Sequence, residues 1–403
     1  MNILFKAYCR IYQAAFGIVA NLLPWRKPEL IEGEGSLEKL PKFIKEKKIS
    51  RVLIVTDAML MKIGLVFPLL ADLEKEGIIY KVYDKTVPNP TIDNIEEAVT
   101  YYREINAQAI IAFGGGSPMD CAKGVGARVA RPGKPIPKMK GVLKVLRKLP
   151  PLFAIPTTAG TGSEATLAAV ITNSKTHEKY AINDINLIPN YAVLDPKLTV
   201  GLPKHITSTT GVDALTHAVE AYIGRSTTKE TRYMSEKAVK LIFENLKTAY
   251  DDGTNLEARK NMQLAAYYAG IAFTRSYVGY VHAMAHTLGG FYGVPHGLAN
   301  AIILPYILAF FGKSAYKPLA RLADFVGIAG NSEEEKAKAF IQAIKDMNAY
   351  MGIPKTIDQI RTEDIPVMVE RACKEAHPLY PVPKFMDKAQ MTEMFYTLMT
   401  KPE

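Results

Sequence analysis

The stretch AIIAFGGGSPMD, residues 109–120, decides the fold, because it joins a buried-strand pattern to a glycine turn and a helix start. The uncharged run before the glycines is typical of a central strand in a parallel sheet. Glycines adopt positive φ and allow close approach, and we expect Ser117 to be the helix N-cap, with a proline behind it. Free N–H groups at a helix start bind anions, so Gly115, Gly116 and Ser117 are candidate phosphate ligands. Asp120 is expected either to close a capping box or to reach a cofactor hydroxyl.

Short β-branched runs alternate with amphipathic stretches through the first half of the chain. This alternation predicts a mostly parallel sheet with helices on both faces. The strand candidates are 51–56, 80–84, 109–114, 151–156 and 192–195, with helices at 65–77 and 92–106 between the early ones.

The strand signal disappears after about residue 198, and long helical periods replace it. A chain of 403 residues also favours two domains over one. We therefore expect an amphipathic N-terminal helix at 1–30, an α/β cofactor-binding domain at 31–198 and an all-helical domain at 199–403. The helices of the last domain are predicted at 208–224, 230–250, 256–275, 298–311, 315–327, 334–351 and 363–376.

A second polar turn, residues 157–164, follows the fourth strand candidate. Loops at the carboxyl ends of parallel strands bind ligands in open α/β sheets, so this turn and the glycine turn are expected to face one crevice. The hydroxyls of Thr157, Thr158 and Thr161 suit a pyrophosphate and a ribose. Ordinary turn chemistry is the alternative.

Asp57 ends the first strand candidate. A carboxylate in that place accepts hydrogen bonds from a ribose 2′-OH and repels a 2′-phosphate, which favours NAD over NADP. The acid precedes the glycine turn, whereas in the usual fingerprint it follows the turn. A plain helix N-cap is therefore the alternative role for Asp57.

Four of the seven histidines lie in two compact motifs of the helical half. Asp213 and His217 stand four residues apart in GVDALTH, which puts both on one face of a helix. His282 and His286 repeat that spacing, and His296 follows them. Singly, each pair is more often an ordinary surface or core pair; together they predict a catalytic metal site. Imidazole and carboxylate ligands suit iron or zinc, and the residue types leave that choice open.

The long motifs resemble those of the iron-containing (group III) alcohol dehydrogenase family. GGGSPMD, PTTAGTGSE, GVDALTHAVEAY and HAMAHTLGGFYGVPHG occur in the family's order, and the likeness spans about residues 30–400. The resemblance implies an α/β N-terminal dinucleotide-binding domain and an all-α C-terminal metal-binding domain of the dehydroquinate synthase-like type. It also implies an NAD(P)-dependent dehydrogenase that interconverts a primary alcohol or diol and its aldehyde, with NAD(H) preferred to NADP(H).

The resemblance also implies particular site residues. The metal ligands would be Asp213, His217, His282 and His296, which leaves His286 as a non-ligand beside the nicotinamide. Fe²⁺ is the implied metal, with Zn²⁺ as the alternative. The implied cofactor contacts are Asp57, Gly115, Gly116, Ser117, Asp120, Thr157, Thr158, Thr161, Thr166 and Lys179.

Catalysis by such an enzyme uses the metal as a Lewis acid while hydride passes between NADH and the aldehyde. His286 is expected in the relay that protonates the alkoxide, because its unperturbed pKa lies near neutrality; a packed supporting residue is the alternative. Phe273, Tyr277 and Phe291 are candidates for the substrate pocket or for the core. Two other functions stay open: a zinc-dependent polyol (glycerol-type) dehydrogenase, and a non-catalytic, membrane-attached metal or redox sensor.

The N-terminal segment carries Ile11, Ala15, Ile18 and Leu22 at helical spacing, which predicts an amphipathic helix. Basic residues and a proline keep its apolar run shorter than a membrane span needs. Two roles are open for it: packing against this protein or a second subunit, and anchoring at a membrane surface. Peripheral membrane contact would involve residues 1–27.

The composition favours a soluble enzyme of a reducing compartment. Cys9, Cys121 and Cys373 lie far apart with no CxxC pair, which argues against a disulfide framework and a thiolate zinc site. The net charge of +10 favours anionic partners such as dinucleotides or acidic lipids. We expect a cytoplasmic homo-oligomer, a dimer by the family resemblance, with a small alcohol or aldehyde substrate and no nucleic-acid partner.

Overall fold

Parallel strands form the main sheet of the first half of the chain. The computed structural model describes residues 1–175 and 178–400. Its strands are β1 (Glu29–Glu32), β2 (Arg51–Val55), β3 (Ile79–Tyr83), β4 (Ala109–Gly114), β5 (Gly141–Val142), β6 (Leu152–Pro156), β7 (Ala168–Thr172), β8 (Lys179–Asn183) and β9 (Tyr191–Leu194). Six of them pair in the order β1-β9-β6-β4-β2-β3, all parallel. The five predicted strands are confirmed, and β1 joins them at one edge.

Fifteen helices lie in the described part of the chain. The seven predicted for the second half are confirmed, as are the two predicted between early strands. The helices are α1 (Ile3–Asn21), α2 (Ser36–Glu46), α3 (Ala58–Lys62), α4 (Phe67–Lys75), α5 (Ile92–Glu104), α6 (Gly116–Ala130), α7 (Lys204–Ile223), α8 (Lys229–Asp251), α9 (Leu256–Ser276), α10 (Tyr280–Tyr292), α11 (His296–Phe311), α12 (Tyr316–Phe325), α13 (Glu333–Tyr350), α14 (Ile365–Ala376) and α15 (Lys388–Leu398).

The chain divides into two compact units. The sheet unit comprises residues 24–202 and 253–267, and the helical unit comprises residues 1–23, 203–252 and 268–403, of which 401–403 lie outside the described residues. The division thus assigns the N-terminal helix to the helical unit and the first part of α9 to the sheet unit.

The main sheet is buried on both faces, as a parallel sheet between helices requires. Along β2, Val52 and Ile54 belong to a core cluster that includes residues of α2 and α4. Leu53 and Val55 belong to a second cluster with residues of α5 and α6. Because successive side chains point to opposite faces of the sheet, β2 contributes residues to two separate cores.

The helix after the glycine turn begins earlier than predicted. Gly115 is the N-cap of α6, and Ser117 lies inside the first turn, so the expected Ser117 cap is wrong. Pro118 is tolerated there because N–H groups of the first turn have no partner within the helix. Gly114 has φ +150°, and a Cβ on it would lie 2.6 Å from Pro118 Cγ. The backbone therefore needs glycine at the end of β4.

Several elements of the structure are absent from the predicted set, among them α2 and α3. A second sheet, in the order β5-β8-β7, interrupts the chain between β4 and β9. Helix α10 was not predicted either, because it is buried on most sides and its sequence shows no polar face. Helix α15 is short and carries a mixed pattern.

Two helical segments are long and apolar enough to cross a membrane by length and composition alone, Ile3–Ala20 and His296–Ser314. They differ in burial, which is 56% for the second and 11% for the first. The second segment contains α11, whose side chains belong mainly to the core of the helical unit. Helix α1 instead leaves most of its large apolar side chains exposed.

Candidate functional site

The four predicted metal ligands lie together in the helical unit. Asp213 and His217 stand one turn apart on α7, while His282 comes from α10 and His296 from the first position of α11. Their donor atoms all lie within 4.8 Å of one another. Asp213 Oδ1 is 4.0 Å from His282 Nε2 and 3.8 Å from His296 Nε2. Three imidazole nitrogens and a carboxylate oxygen thus converge, as the ligands of a small cation do.

A glycine brings α11 close to α7 at this point. A Cβ on Gly297 would lie 2.6 Å from the Thr209 carbonyl oxygen and 3.4 Å from Asp213 Cβ. Any larger residue would push the two helices apart, and His296 with them. The Gly of the PHG sequence therefore fixes the distance between His296 and Asp213.

Glu220 orients His282 from beneath the cluster. Its buried carboxylate accepts hydrogen bonds from Gly279 N, Val281 N and His282 Nδ1, the last at 2.6 Å. Burial raises the pKa of Glu220 to about 8, while these donors favour its charged form. Burial also holds the pKa of His282 well below its usual range. A neutral His282 that donates from Nδ1 keeps the lone pair of Nε2 directed at the cluster.

Asn300, one turn after His296 on α11, joins the cluster directly. Its amide Nδ2 lies 2.6 Å from Asp213 Oδ1, 3.2 Å from His282 Nε2 and 3.1 Å from His296 Nε2. Its Oδ1 is buried with no hydrogen-bond partner among the described residues. Three polar atoms from three helices therefore surround one amide nitrogen, which has only two hydrogens to donate to them. An acceptor set of this kind fits a cation.

His286 lies beside the cluster and outside the four-residue set. Its Nδ1 is 2.7 Å from Glu375 Oε1, and Tyr380 donates its hydroxyl to the same oxygen. The imidazole is stacked against His296, with ring centroids 5.2 Å apart. With its Nδ1 bonded to Glu375, His286 retains Nε2 for proton exchange.

The three aromatic candidates differ in their surroundings. Phe273 stacks on His217, with ring centroids 4.2 Å apart, so it forms one wall of the metal cluster. Tyr277 packs edge-on against Phe16 of α1, and burial raises its pKa. Tyr277 therefore has the surroundings of a core residue. Phe291 lies under the guanidinium of Arg371.

In the sheet unit, the glycine turn and the threonine turn face each other. They follow β4 and β6, which are neighbouring parallel strands, and Thr157 N donates to Gly114 O. A Cβ on Gly115 would lie 3.5 Å from Thr158 Oγ1, and one on Gly116 would lie 3.0 Å from Thr161 Cγ2. The two turns and the start of α6 therefore offer hydroxyls and N–H groups to one ligand.

Asp57 follows β2 by two residues, and β2 is the other neighbour of β4 in the sheet. The acid thus follows the strand next to the one that leads into the glycine turn, although more than fifty residues separate the two in sequence. The chain leaves β2 toward β3 on one side and continues from β4 to β6 on the other, which is a topological switch point. Asp57 also caps α3, since its Oδ1 accepts from Leu60 N.

Asp120 and Thr166 use their side chains within the protein. Asp120 accepts from Ser163 Oγ and Val170 N, so it closes no capping box. Lys123, which is fully buried, donates to Ser163 Oγ and Thr166 Oγ1 at 2.9 Å each. Burial lowers the pKa of Lys123 to about 8 and raises that of Asp120. This network fixes the threonine turn, and the lone lysine in the small-residue run CAKGVGA was its only signal in the sequence.

Lys179 at the start of β8 reaches the glycine turn through one intermediary. Its Nζ donates to Asn89 Oδ1 at 2.6 Å, and Asn89 N donates to Ser117 Oγ at 3.2 Å. Lys179 thus places a positive charge close to the start of α6, where a phosphate is expected.

Two family models match consecutive parts of the chain. Residues 28–196 match "Iron-containing alcohol dehydrogenase", and residues 207–399 match "Fe-containing alcohol dehydrogenase family, C-terminal". The first match covers the cofactor turns and the second covers all four candidate metal ligands.

Curated and solved relatives cover most of the chain. Alcohol dehydrogenase 4 of Saccharomyces cerevisiae (strain YJM789) is 40% identical over 353 residues, 87% of this chain and 92% of the yeast protein. The 1,3-propanediol dehydrogenase of Citrobacter freundii is 38% identical over 351 residues, 86% of this chain and 90% of that protein. A crystal structure of a 1,3-propanediol oxidoreductase superposes with a TM-score of 0.89 at 34% identity, covering 94% of this chain and 100% of that one.

Proposed function

The chain belongs to the iron-containing alcohol dehydrogenase family, and on that premise we propose that Asp213, His217, His282 and His296 bind a catalytic Fe²⁺. The protein is a metal-dependent oxidoreductase that interconverts a primary alcohol or diol and its aldehyde. The observation that carries the ligand assignment is the convergence of the four donor atoms from three helices.

We propose NAD(H) as the redox cofactor, bound over the facing glycine and threonine turns. Gly115, Gly116 and Ser117 would hold the pyrophosphate with their N–H groups, and Thr157, Thr158 and Thr161 would add hydroxyls. Asp57, two residues after β2 and at the start of α3, would accept from the ribose 2′-OH and repel a 2′-phosphate. Lys179 would neutralise phosphate charge, while Asp120 and Thr166 would act through the Lys123 network.

When bound, the metal supplies a Lewis acid that draws charge onto the carbonyl oxygen as hydride arrives. Glu220 holds His282 in the tautomer that suits a ligand, and Phe273 screens His217 from water. His286, fixed through Nδ1 by Glu375, gives or takes a proton at Nε2. The Tyr380 hydroxyl holds Glu375 in place.

Metal content and turnover together test this proposal. The protein, purified anaerobically, is analysed for metals by mass spectrometry and assayed for NADH oxidation on a panel of short aldehydes. We expect one iron per four-ligand site, with activity lost to a chelator and restored by Fe²⁺. Bound zinc with polyol oxidation would instead assign a zinc-dependent polyol dehydrogenase. Cofactor binding without turnover on any aldehyde would instead support the function of a metal or redox sensor.

The variant His282→Ala tests the ligand set itself. It should lose metal retention and turnover while NADH binding stays nearly intact, because the cofactor turns lie in the other unit. His205→Ala is the matched control, since this exposed histidine is also on a metal-site helix, α7, but lies outside the cluster. Retained turnover in metal-free His282→Ala would contradict the assignment.

We also propose a cytoplasmic homodimer. The three cysteines are buried free thiols, which suits a reducing compartment. The measurement is molar mass by light scattering of the purified protein at several concentrations. A mass of one chain at all concentrations would contradict the dimer.

A further inference from the structure

Helix α1 presents a continuous apolar surface to solvent. Its large exposed side chains include Ile3, Leu4, Tyr8, Ile11, Ile18 and Val19, which are between 49% and 81% exposed. At 100° per residue these six side chains project from one half of the helix, together with small alanines. No acidic or basic residue of α1 falls in that half. We call these six residues the α1 arc.

The opposite side of α1 is fixed to the helical unit by polar contacts. Arg10 donates to Val382 O and Pro383 O, and its guanidinium lies 4.0 Å above the Phe385 ring. Gln13, which is 9% exposed, donates to Pro378 O and Tyr380 O. Turning the helix over would break all of these bonds, so the α1 arc is held facing outward. A membrane-spanning arrangement of α1 would break them as well.

A basic cavity borders the α1 arc. Lys6 and Arg10 lie one turn apart along one edge of the arc. With Lys384 they line a cavity of about 310 Å³, in which Asp387 is the acidic residue. Cations beside an apolar helix face are the pattern that binds lipid phosphates while apolar side chains enter the acyl region.

We propose that the α1 arc docks the enzyme on the surface of an anionic phospholipid bilayer. The arc residues would enter the boundary between headgroups and acyl chains, with Lys6 and Lys384 at the level of the phosphates. Charge selects this partner over a second copy of the chain. Residues 1–28 carry four basic side chains and no acid, so two copies of this segment placed face to face would repel each other, whereas an anionic lipid surface attracts it.

The surface lies outside the part of the chain that carries the family's chemistry. The matched family model begins at residue 28, and α1 ends before it. The docking surface therefore places the enzyme at a membrane without altering the residues of the catalytic centre. It does not depend on which metal or cofactor the enzyme uses.

Vesicle flotation of the full chain tests the proposal. The probes are vesicles of phosphatidylcholine alone and with about one third phosphatidylglycerol. We expect the wild type to float with the anionic vesicles, and the double variant Ile11→Ser/Ile18→Ser to lose about tenfold or more in affinity. Phe325→Ser/Val367→Ser is the control, because it also removes two exposed large apolar side chains, here from α12 and α14. It should float like the wild type.

A second comparison tests the headgroup contacts and the alternative partner. Lys6→Gln/Lys384→Gln should weaken binding to anionic vesicles and reduce its salt dependence. Binding that is equal for both vesicles and insensitive to salt would overturn the role of the basic cavity. No vesicle binding would overturn the proposal. If the Ile11→Ser/Ile18→Ser variant also has a smaller molar mass than the wild type, the α1 arc is an interface between copies.

Discussion

Asn300 allows the metal centre to be tested through stability as well as through activity. Its amide nitrogen, with two hydrogens, lies within hydrogen-bond distance of three acceptors that a cation would otherwise bind, and two of them, on Asp213 and His282, are buried. Asn300→Ala should therefore lower the unfolding free energy of metal-free protein by about 1–3 kcal/mol, the cost of unsatisfied buried polar groups. Metal-loaded protein should lose less, because the cation then satisfies the acceptors. The measurement is denaturant unfolding with and without Fe²⁺.

Asn348→Ala is the matched control for that experiment. Asn348 is also buried, donates one amide hydrogen bond, to Ala301 O, and has an Oδ1 without a partner. Its substitution should cost stability equally with and without metal. If the metal changes the loss of unfolding free energy by the same amount in Asn300→Ala and in Asn348→Ala, Asn300 has no special relation to the metal.

The buried His377 should make the protein less stable in acid. Burial lowers its pKa to about 4 from a usual 6.5, and its Nε2 is 2.7 Å from the Tyr280 hydroxyl. Between these two values the unfolded chain binds a proton that the folded chain does not, so stability should fall as pH drops from 6.5 toward 4. His377→Gln, which cannot titrate, should show a shallower fall. Parallel profiles of unfolding free energy against pH would rule out this contribution.

The cluster of four candidate metal ligands could be predicted from the sequence, but the residues that support it could not. Asp213 and His217 reveal themselves because helical spacing puts them on one face. Glu220 meets His282 across 62 residues, and Asn300 meets Asp213 across 87. Such pairs arise from the packing of α7, α10 and α11, and no local pattern encodes them.

At the scale of elements, the end of β2 should set the choice between cofactors. Asp57→Ser keeps a good N-cap for α3 and removes the charge that would repel a 2′-phosphate. We expect the ratio of kcat/KM for NADPH over NADH to rise about tenfold or more, the effect of removing one like charge at close range. The measurement is aldehyde reduction with each cofactor.

Asp93→Ser is a suitable control for Asp57→Ser. It removes an acidic side chain from the first turn of another helix of the sheet unit, α5. Its cofactor ratio should match that of the wild type. An unchanged ratio in Asp57→Ser itself would reduce Asp57 to the helix-capping role that the structure also shows.

Elements with a strong periodicity of hydrophobic residues were predictable from the sequence, and elements fixed by contacts distant in sequence were not. The hydrophobic runs of β2, β4 and β6 and the amphipathic helices stand out in the sequence. Strands β7 and β8 pair antiparallel with buried and half-buried residues in alternation, but the sequence AAVIT of β7 shows little matching alternation in polarity. Helix α6 begins at Gly116, earlier than predicted, because the glycine backbone makes the turn without a hydrogen bond from the Ser117 hydroxyl as N-cap.

At the scale of the whole molecule, metal and cofactor should protect different units. The proposed metal ligands all lie in the helical unit, whereas the glycine and threonine turns lie in the sheet unit. Removing the metal should therefore speed amide hydrogen exchange mainly in α7, α10 and α11. Adding NADH should slow exchange mainly at the start of α6 and in the threonine turn. Exchange measured by mass spectrometry in the four ligand states checks both expectations. A uniform response of the whole chain to either ligand would contradict the assignment of sites to units.

The adjacency of β2 and β4 bears on how cofactor preference can evolve. Asp57 and the glycine turn belong to separate strand–helix modules that become neighbours only in the folded sheet. On the proposed cofactor assignment, a mutation, or a recombination event that exchanges the module around β2, would therefore change discrimination at the ribose while the pyrophosphate cradle is inherited intact.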